Sequence, residues 1–402
     1  MNTEILFNQI PKEPDSWFGD ENCNEVDRHI KSLKLPSQPS SARLDKVTIT
    51  DIEIVFISDI DRLIANGMVD LCNNVNHRIY TAPNAMYSRL QIKGTALFDN
   101  FVQIIGNRGK VSTYLELSVN DPILHNLVGC TLEQYKHRLK EIRAFLMQNY
   151  GIFIDYKMAS FKYMEIQKTI ELDKACNEYS RVAALLINDI PKARRLKKPN
   201  VHYGEIADTN VRYVQSLSRS SGLRGLEVGF YDKGAQLDEK NYPREKASPS
   251  EIFRLELKLK SKTFIKRALG SCLVWQLHDS DICNYYNKFI NENFAESYAL
   301  NTVHRIKKLV EMANKVQSEN YHWVRNLLLM AADYELEHKV PLMLDVKEMI
   351  QALDIIGYAD SKQKYYVRKS VMNTCQKYIP FFISNDDIKC QRLIHWFIST
   401  GK

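Results

Sequence analysis

Three stretches of this chain alternate apolar and polar residues with the period of two that a strand in a half-buried sheet requires. Residues 157–173 read KMASFKYMEIQKTIELD, 226–233 read LEVGFYDK and 253–260 read FRLELKLK. The first sets Tyr163, Glu165, Gln167 and Thr169 against Met164, Ile166, Ile170 and Leu172. In the second, Glu227, Tyr231 and Lys233 share one face, and in the third Arg254, Glu256, Lys258 and Lys260 do. Such strands build an antiparallel sheet with an apolar face on the core and a polar face toward water, open to a ligand.

The remaining sequence supplies the frame. TNVRYVQSLS and LEVGFYDKG flank RSSGLRG, the pattern of a hairpin. VTITDIEIVFIS from residue 47 reads as extended, SRLQIKG at 88–94 as a strand ending at glycine, and DIDRLIANGMVDLCNN as a short helix capped by Asp59. TLEQYKHRLKEIRAFLMQNY aligns Leu132, Tyr135, Leu139, Ile142, Phe145 and Leu146 on one helical stripe with Thr131 as cap. GAQLDEKNYPREKASPSE reads as a polar loop. This order predicts an α+β domain, mainly an antiparallel sheet with helices on one face. After about residue 275 the pattern is helical throughout: TVHRIKKLVEMANKV, YHWVRNLLLMAADYELEH, DVKEMIQALDIIG and SKQKYYVRKSVMNTCQKY. The chain, at 402 residues, is too long for one core. It divides into a loosely structured leader (1–45), in which little function is expected, an α+β domain (46–272) and an all-helical C-terminal domain (273–402). Apolar runs are too short to span a membrane and the first thirty residues are unlike a signal peptide, so a cytoplasmic protein is expected. The eight cysteines stand singly, without metal or disulfide spacing, and are expected as reduced core residues.

Formal net charge is +7, and much of the positive charge is clustered. PKARRLKKPN at 191–200 carries Lys192, Arg194, Arg195, Lys197 and Lys198; KQKYYVRK at 362–369 carries Lys362, Lys364, Arg368 and Lys369 around Tyr365 and Tyr366. Clusters of this kind suit a polyanion, although either can also be a solvated surface. The second lies in a helix, glycine turn, helix pattern that would set a basic helix in a major groove; a charged helix packed on a bundle fits the same residues.

The polar strand faces bring a phenol, carboxylates and a lysine toward one place. A phenol ionises near ~10 and needs a cation or a base beside it to attack at neutral pH. A divalent ion held by carboxylates would activate a phosphate, with Lys233 as a second positive charge. Glutamate–lysine pairs across strands also simply stabilise surfaces, so residue types alone leave both readings open.

At these residues the chain resembles the replication initiators of filamentous phages, the gene II type of nicking enzyme, and related phage and plasmid rolling-circle initiators. FYDKGAQL, a polar loop and FRLELKLKSKTFIKRALG are similar to that family's Tyr-x-Lys-x-x-Glu-Leu segment and Arg-x-Glu-x-x-x-Lys strand. LQIKGTALFDNF looks like its strand and short turn, and FKYMEIQKTIEL like its second acidic strand, with Glu165 where an aspartate is usual. The likeness spans about residues 88–275. It implies a relaxase-like initiator fold and an enzyme that binds origin DNA, double- and single-stranded, and nicks one strand. The 5′ phosphate stays on tyrosine and the 3′ hydroxyl primes rolling-circle synthesis by a host helicase and polymerase; a later transesterification closes the circle. Tyr231 falls at the nucleophile, Lys233 and Arg254 at the basic catalytic positions, and Glu165 and Glu256 at the expected ligands of Mg²⁺ or Mn²⁺. Tyr213, on the preceding hairpin strand, is the alternative nucleophile.

The chain departs from the pattern in three places. Gln236 stands where an acid is usual, GNRG replaces Gly-His-Asn, and none of the ten histidines forms a His-hydrophobe-His motif. His77, His125 and His202 are single candidates for a metal ligand. The absent histidine pair and the lost acid at Gln236 favour a second reading, a DNA-binding regulator on the same fold that does not cut; Tyr231, Lys233, Arg254 and Glu256 together favour the enzyme. The helical tail leaves room for a homodimer, although no distinct heptad runs through it.

Overall fold

Among the described residues, ten strands form one antiparallel sheet. The computed structural model describes residues 41–70, 89–105, 111–118, 129–191, 194–206, 212–239, 250–316, 323–338, 342, 346–355 and 386–397. In chain order they give β1 (Arg43–Thr50), β2 (Glu53–Ile57), α1 (Ile60–Ala65), β3 (Val69–Asp70), β4 (Arg89–Lys93), β5 (Asn100–Ile105) and β6 (Val111–Ser118). There follow α2 (Leu132–Tyr150), β7 (Ile152–Asp155), β8 (Ser160–Glu171), α3 (Cys176–Asn188), β9 (Asn200–Glu205), β10 (Arg212–Ser220) and β11 (Leu226–Asp232). Then come α4 (Lys233–Glu239), β12 (Ile252–Leu259), α5 (Lys262–Leu269), α6 (Asp279–Ile290) and a π-helical turn (Asn291–Ala295). The described chain ends with α7 (Glu296–Val316), α8 (Trp323–His338), α9 (Val346–Ile355) and α10 (Asp386–Phe397). The large sheet runs β3-β4-β5-β6-β1-β8-β12-β11-β10-β9, and β2 pairs with β7 apart from it.

The α+β class is therefore as expected, with the hairpin β10–β11 in register from Ser216 opposite Tyr231 to Ser220 opposite Glu227. The helix with Thr131 as cap forms as α2, closed by a capping box in which Thr131 and Gln134 satisfy each other's backbone. Two details are added near the start. The run from 47 is extended as expected but in two strands, broken where Asp51 takes a left-handed φ of 61°. Its carboxylate accepts from Ser160 Oγ at 2.6 Å and Lys262 Nζ at 2.5 Å, and the chain then leaves the large sheet for β2. The expected leader boundary at 45 also moves, because β1 begins at Arg43 and Leu44 and Asp45 are fully buried. Residues 1–40 lie outside the described residues.

A bulge in β1 decides where Asp45 goes. Leu44 pairs with Ile166 and Val47 with Met164, so three steps on β1 oppose two on β8. The extra residue shifts the phase of the alternation, so that Leu44, Val47 and Ile49 all enter the core while the Asp45 carboxylate comes within 4.8 Å of those of Glu165 and Glu256.

The apolar face of the sheet is covered by α3 and α10. From α3, Tyr179, Val182, Leu185 and Leu186 are buried, and from α10 Cys390, Leu393 and Phe397. Phe397 lies 6.0 Å from Phe253, which stacks on Phe230 at 5.1 Å, and Trp396 lies 5.8 Å from Tyr179. One core cluster includes these residues together with Ile282, Tyr286 and Phe289 of α6, so the core runs across the boundary expected at 272. Cys130, Cys176, Cys272, Cys283 and Cys390 are free thiols, four of them buried. No helix among the described residues is long and apolar enough to cross a membrane.

Lys168 is the charged intruder in this core, 1% exposed, with Nζ 3.5 Å from the carbonyl of Phe397. Burial pulls its ammonium down from the ordinary 10.5 to about 7. The folded chain thus binds fewer protons than the unfolded chain between those values, and stability must rise with pH across that window. Below it the lysine is charged in both states and the full desolvation cost, on the order of 5 kcal/mol, is carried. Lys168→Met is expected to melt above wild type at pH 6, with the gap closing toward pH 10. Parallel melting curves over that range would contradict it.

Candidate active site

Strand register assembles the candidate residues into three rows across β11, β12 and β8. Tyr231 lies opposite Arg254, which lies opposite Thr169; Gly229 precedes Glu256 and Gln167 in the next row; Glu227, Lys258 and Glu165 form the third. Gly229 leaves Glu256 without a β11 side chain beside it. A Cβ there would sit 2.9 Å from Ser218 Cβ and 3.0 Å from the carbonyl of Leu217, so no larger residue fits.

Arg254 is the centre of the arrangement and is fully buried. Its Nε donates to Thr169 Oγ1 at 2.8 Å, and its Nη1 donates to Asp45 Oδ2 at 2.8 Å and to Tyr231 Oη at 3.3 Å. The Tyr231 hydroxyl reaches Glu256 Oε1 at 3.5 Å. Carboxylate oxygens of Asp45, Glu165 and Glu256 all lie within 4.8 Å of one another. Lys258 Nζ is 2.9 Å from Glu256, 3.6 Å from Glu165 and 4.0 Å from Glu227, and Tyr163 donates its hydroxyl to Glu165.

The polar face is not wet as expected. Gln167, Thr169, Arg254, Glu165 and Glu256 are all buried, and Tyr231 is half-buried. Charges of both signs in register neutralise one another here, which is what lets them leave water. The electrostatics follow from that burial. Desolvation, and then the neighbouring Glu256, push the Glu165 carboxyl up to about 7. Burial also holds the Tyr231 phenol well above its usual range, against the pull of the Arg254 guanidinium. Burial works against the charge on Lys258, but Glu256, Glu165 and Glu227 outweigh it and keep the ammonium above the ordinary lysine range.

The other candidates divide. Lys233 opens α4, is 3% exposed, donates to Gln236 Oε1 at 2.9 Å and places Nζ 5.7 Å from the Tyr231 ring centre. The sequence read this segment as loop. Asp232 starts a helix instead, with Oδ1 accepting from the Ala235 amide at 2.9 Å. Asp232 Oδ2 accepts from Tyr213 at 3.0 Å and from the Ser250 amide at 2.9 Å. Tyr213 is thereby buried against Asp232, which points to the opposite face of β11 from Tyr231. His202 is exposed on the edge strand β9, opposite Ser216 and two strands from Tyr231, and does not join the carboxylates. His77, His125, Lys192, Lys362, Lys364, Arg368 and Lys369 lie outside the described residues.

No family model matches the chain, and no curated protein matches it. Among solved structures it is similar to the rolling circle replication initiator protein from Geobacillus stearothermophilus. That match has 10% sequence identity and a TM-score of 0.29, and covers 55% of this chain and 74% of that chain. The likeness is too distant to assign a role to any residue.

The donor set itself fits a hard divalent cation. Three carboxylates from three strands offer the oxygen ligands that Mg²⁺ or Mn²⁺ prefers, and the Lys258 ammonium already stands among them as a cation. Asp45 is the member that sequence reading missed. The signal was there: Leu44, Val47 and Ile49 break strict alternation, the mark of a bulge. The basic run also divides. All four described members, Arg194, Arg195, Lys197 and Lys198, are exposed, but Arg194 is also tied to the π-helical turn, donating to Asn293 Oδ1 at 3.0 Å and Glu292 Oε2 at 2.9 Å.

Proposed function

We propose that the protein is a rolling-circle replication initiator that cuts and rejoins one strand of its origin through Tyr231. The observation that carries this reading is the convergence, on the four adjacent strands β1, β8, β12 and β11, of the Tyr231 hydroxyl, the Arg254 guanidinium and the Asp45–Glu165–Glu256 carboxylates. In the proposed step Tyr231 Oη attacks the scissile phosphorus, the phenolic proton passes to a carboxylate such as Glu256, the bond from phosphorus to the 3′ oxygen breaks, and the departing 3′ oxygen takes a proton from that carboxyl or from water. This leaves a 5′-phosphotyrosine and a free 3′ hydroxyl, which a host helicase and polymerase would extend. Arg254, fixed by Asp45 and Thr169, orients the tyrosine oxygen and opposes charge developing beside it. Lys233 lies close enough to the Tyr231 ring to add positive potential. A Mg²⁺ or Mn²⁺ ion held by Asp45, Glu165 and Glu256 would neutralise charge on the scissile phosphate. Attack of the 3′ hydroxyl on the phosphotyrosine later reverses the step.

A second reading, origin binding without cutting, is favoured by one feature: Lys258 already balances the carboxylates. One assay separates the two. Supercoiled plasmid bearing the cognate origin, with Mn²⁺, is expected to become an open circle with protein covalently attached; intact supercoils with protein bound would support the regulator.

DNA affinity is expected to come in part from Arg195, Lys197 and Lys198. Replacing all three by Gln removes charges that displace phosphate counterions, so binding should weaken on every sequence and the salt slope should flatten by up to about 3. Unchanged affinity for random DNA with lost origin preference would show that these residues read bases. Arg194→Gln belongs apart, because it breaks the contacts to Asn293 and Glu292.

A further inference from the structure

We infer that Lys258 is an exchangeable counter-cation, holding the carboxylate cluster together until a divalent ion replaces it. This rests on the divalent-ion site proposed above and adds how its occupancy is controlled. Lys258 lies directly opposite Glu165 on one side and Glu227 on the other, while Glu256 is two residues away on its own strand. The ammonium is thus shared among three carboxylates, at 2.9, 3.6 and 4.0 Å, two of which are the proposed ligands. Its side chain is 29% exposed, unlike the wholly enclosed Arg254, so its four-carbon stem can swing toward solvent without moving β12.

Two cations cannot share the space close to Glu165 and Glu256 at low cost, because a dication at a few ångströms repels an ammonium strongly in a poorly solvated site. Divalent binding therefore includes displacement of Lys258, and the ion's apparent affinity is reduced by that exchange. The lysine also keeps the metal-free protein folded, since buried like charges left without a partner are destabilising. Lys260 provides the control. It carries the same charge two residues along, but its Nζ contacts Glu227 and Ser220 and no proposed ligand.

The test measures Mn²⁺ binding by calorimetry and melting temperature with and without Mn²⁺, for wild type, Lys258→Met and Lys260→Met. Lys258→Met is expected to bind Mn²⁺ at least tenfold more tightly than wild type, to melt lower without metal, and to gain more from metal. Lys260→Met should change Mn²⁺ affinity less than threefold. Equal affinity in Lys258→Met and wild type, or an equal gain in both variants, overturns the exchange while leaving the metal site intact. Absence of Mn²⁺ binding in all three proteins overturns the metal site, and the exchange with it.

Discussion

Tyr231→Phe is expected to leave origin-bearing supercoiled plasmid uncut, about a thousandfold or more below wild type, and to form no covalent complex with DNA. On the proposed mechanism the substitution removes the nucleophile, which abolishes the step rather than slowing a contact, so the expected effect is large. The fold should survive. The hydroxyl's contacts, to Arg254 at 3.3 Å and Glu256 at 3.5 Å, are long, and the ring keeps its place beside Arg254 and Lys233. Origin binding and melting temperature should therefore stay close to wild type, with about 1 kcal/mol lost at most. Tyr213→Phe should do the reverse. It takes one hydrogen bond from buried Asp232, costing about 1–2 kcal/mol, and leaves nicking intact. If Tyr213→Phe is dead and Tyr231→Phe still cuts, the nucleophile has been assigned to the wrong strand.

What could be read from the sequence follows from the physics of strands. Alternation in 157–173, 226–233 and 253–260 exposed the faces of β8, β11 and β12, and the turn signal between 220 and 226 set the hairpin, so Tyr231, Arg254, Glu256 and Glu165 were identified as sharing one face. Register then had to do the rest, and a one-residue bulge is enough to hide a partner. Asp45 was assigned to the leader because no local pattern around it looks regular, yet the bulge brings its carboxylate to Arg254. The burial of that face was not legible either. Single-strand patterns mark charged residues as solvent-facing, whereas Lys258 meets Glu227 and Glu165, and Arg254 meets Asp45, only once four strands are aligned. The same limit applies to the basic run, where composition cannot tell that Arg194 is bound to the π-helical turn.

Glu165→Gln offers the sharpest separation of chemistry from stability. The carboxyl is pushed up to about 7 from an ordinary 4.5, so the folded chain holds a proton more tightly than the unfolded chain, and wild-type stability falls as pH rises through that window. An uncharged amide of the same shape removes that dependence. The variant should therefore melt at or above the wild-type temperature at pH 8 in the absence of metal, although the hydrogen bond from Tyr163 is weakened. Its Mn²⁺-dependent nicking should fall at least about a hundredfold, because a lost metal ligand forfeits several kcal/mol of transition-state stabilisation. Glu256→Gln should lose nicking likewise while keeping origin binding. Asp45→Asn is the less clean variant: it also leaves the wholly buried Arg254 without its ion-pair partner, a change that typically costs about 3–5 kcal/mol. Nicking rates measured against Mn²⁺ concentration, beside melting curves for the same preparations, decide the matter. A Glu165→Gln or Glu256→Gln protein that cuts at the wild-type rate in saturating Mn²⁺ would show that carboxylate to be no ligand of the ion, which must then be held elsewhere.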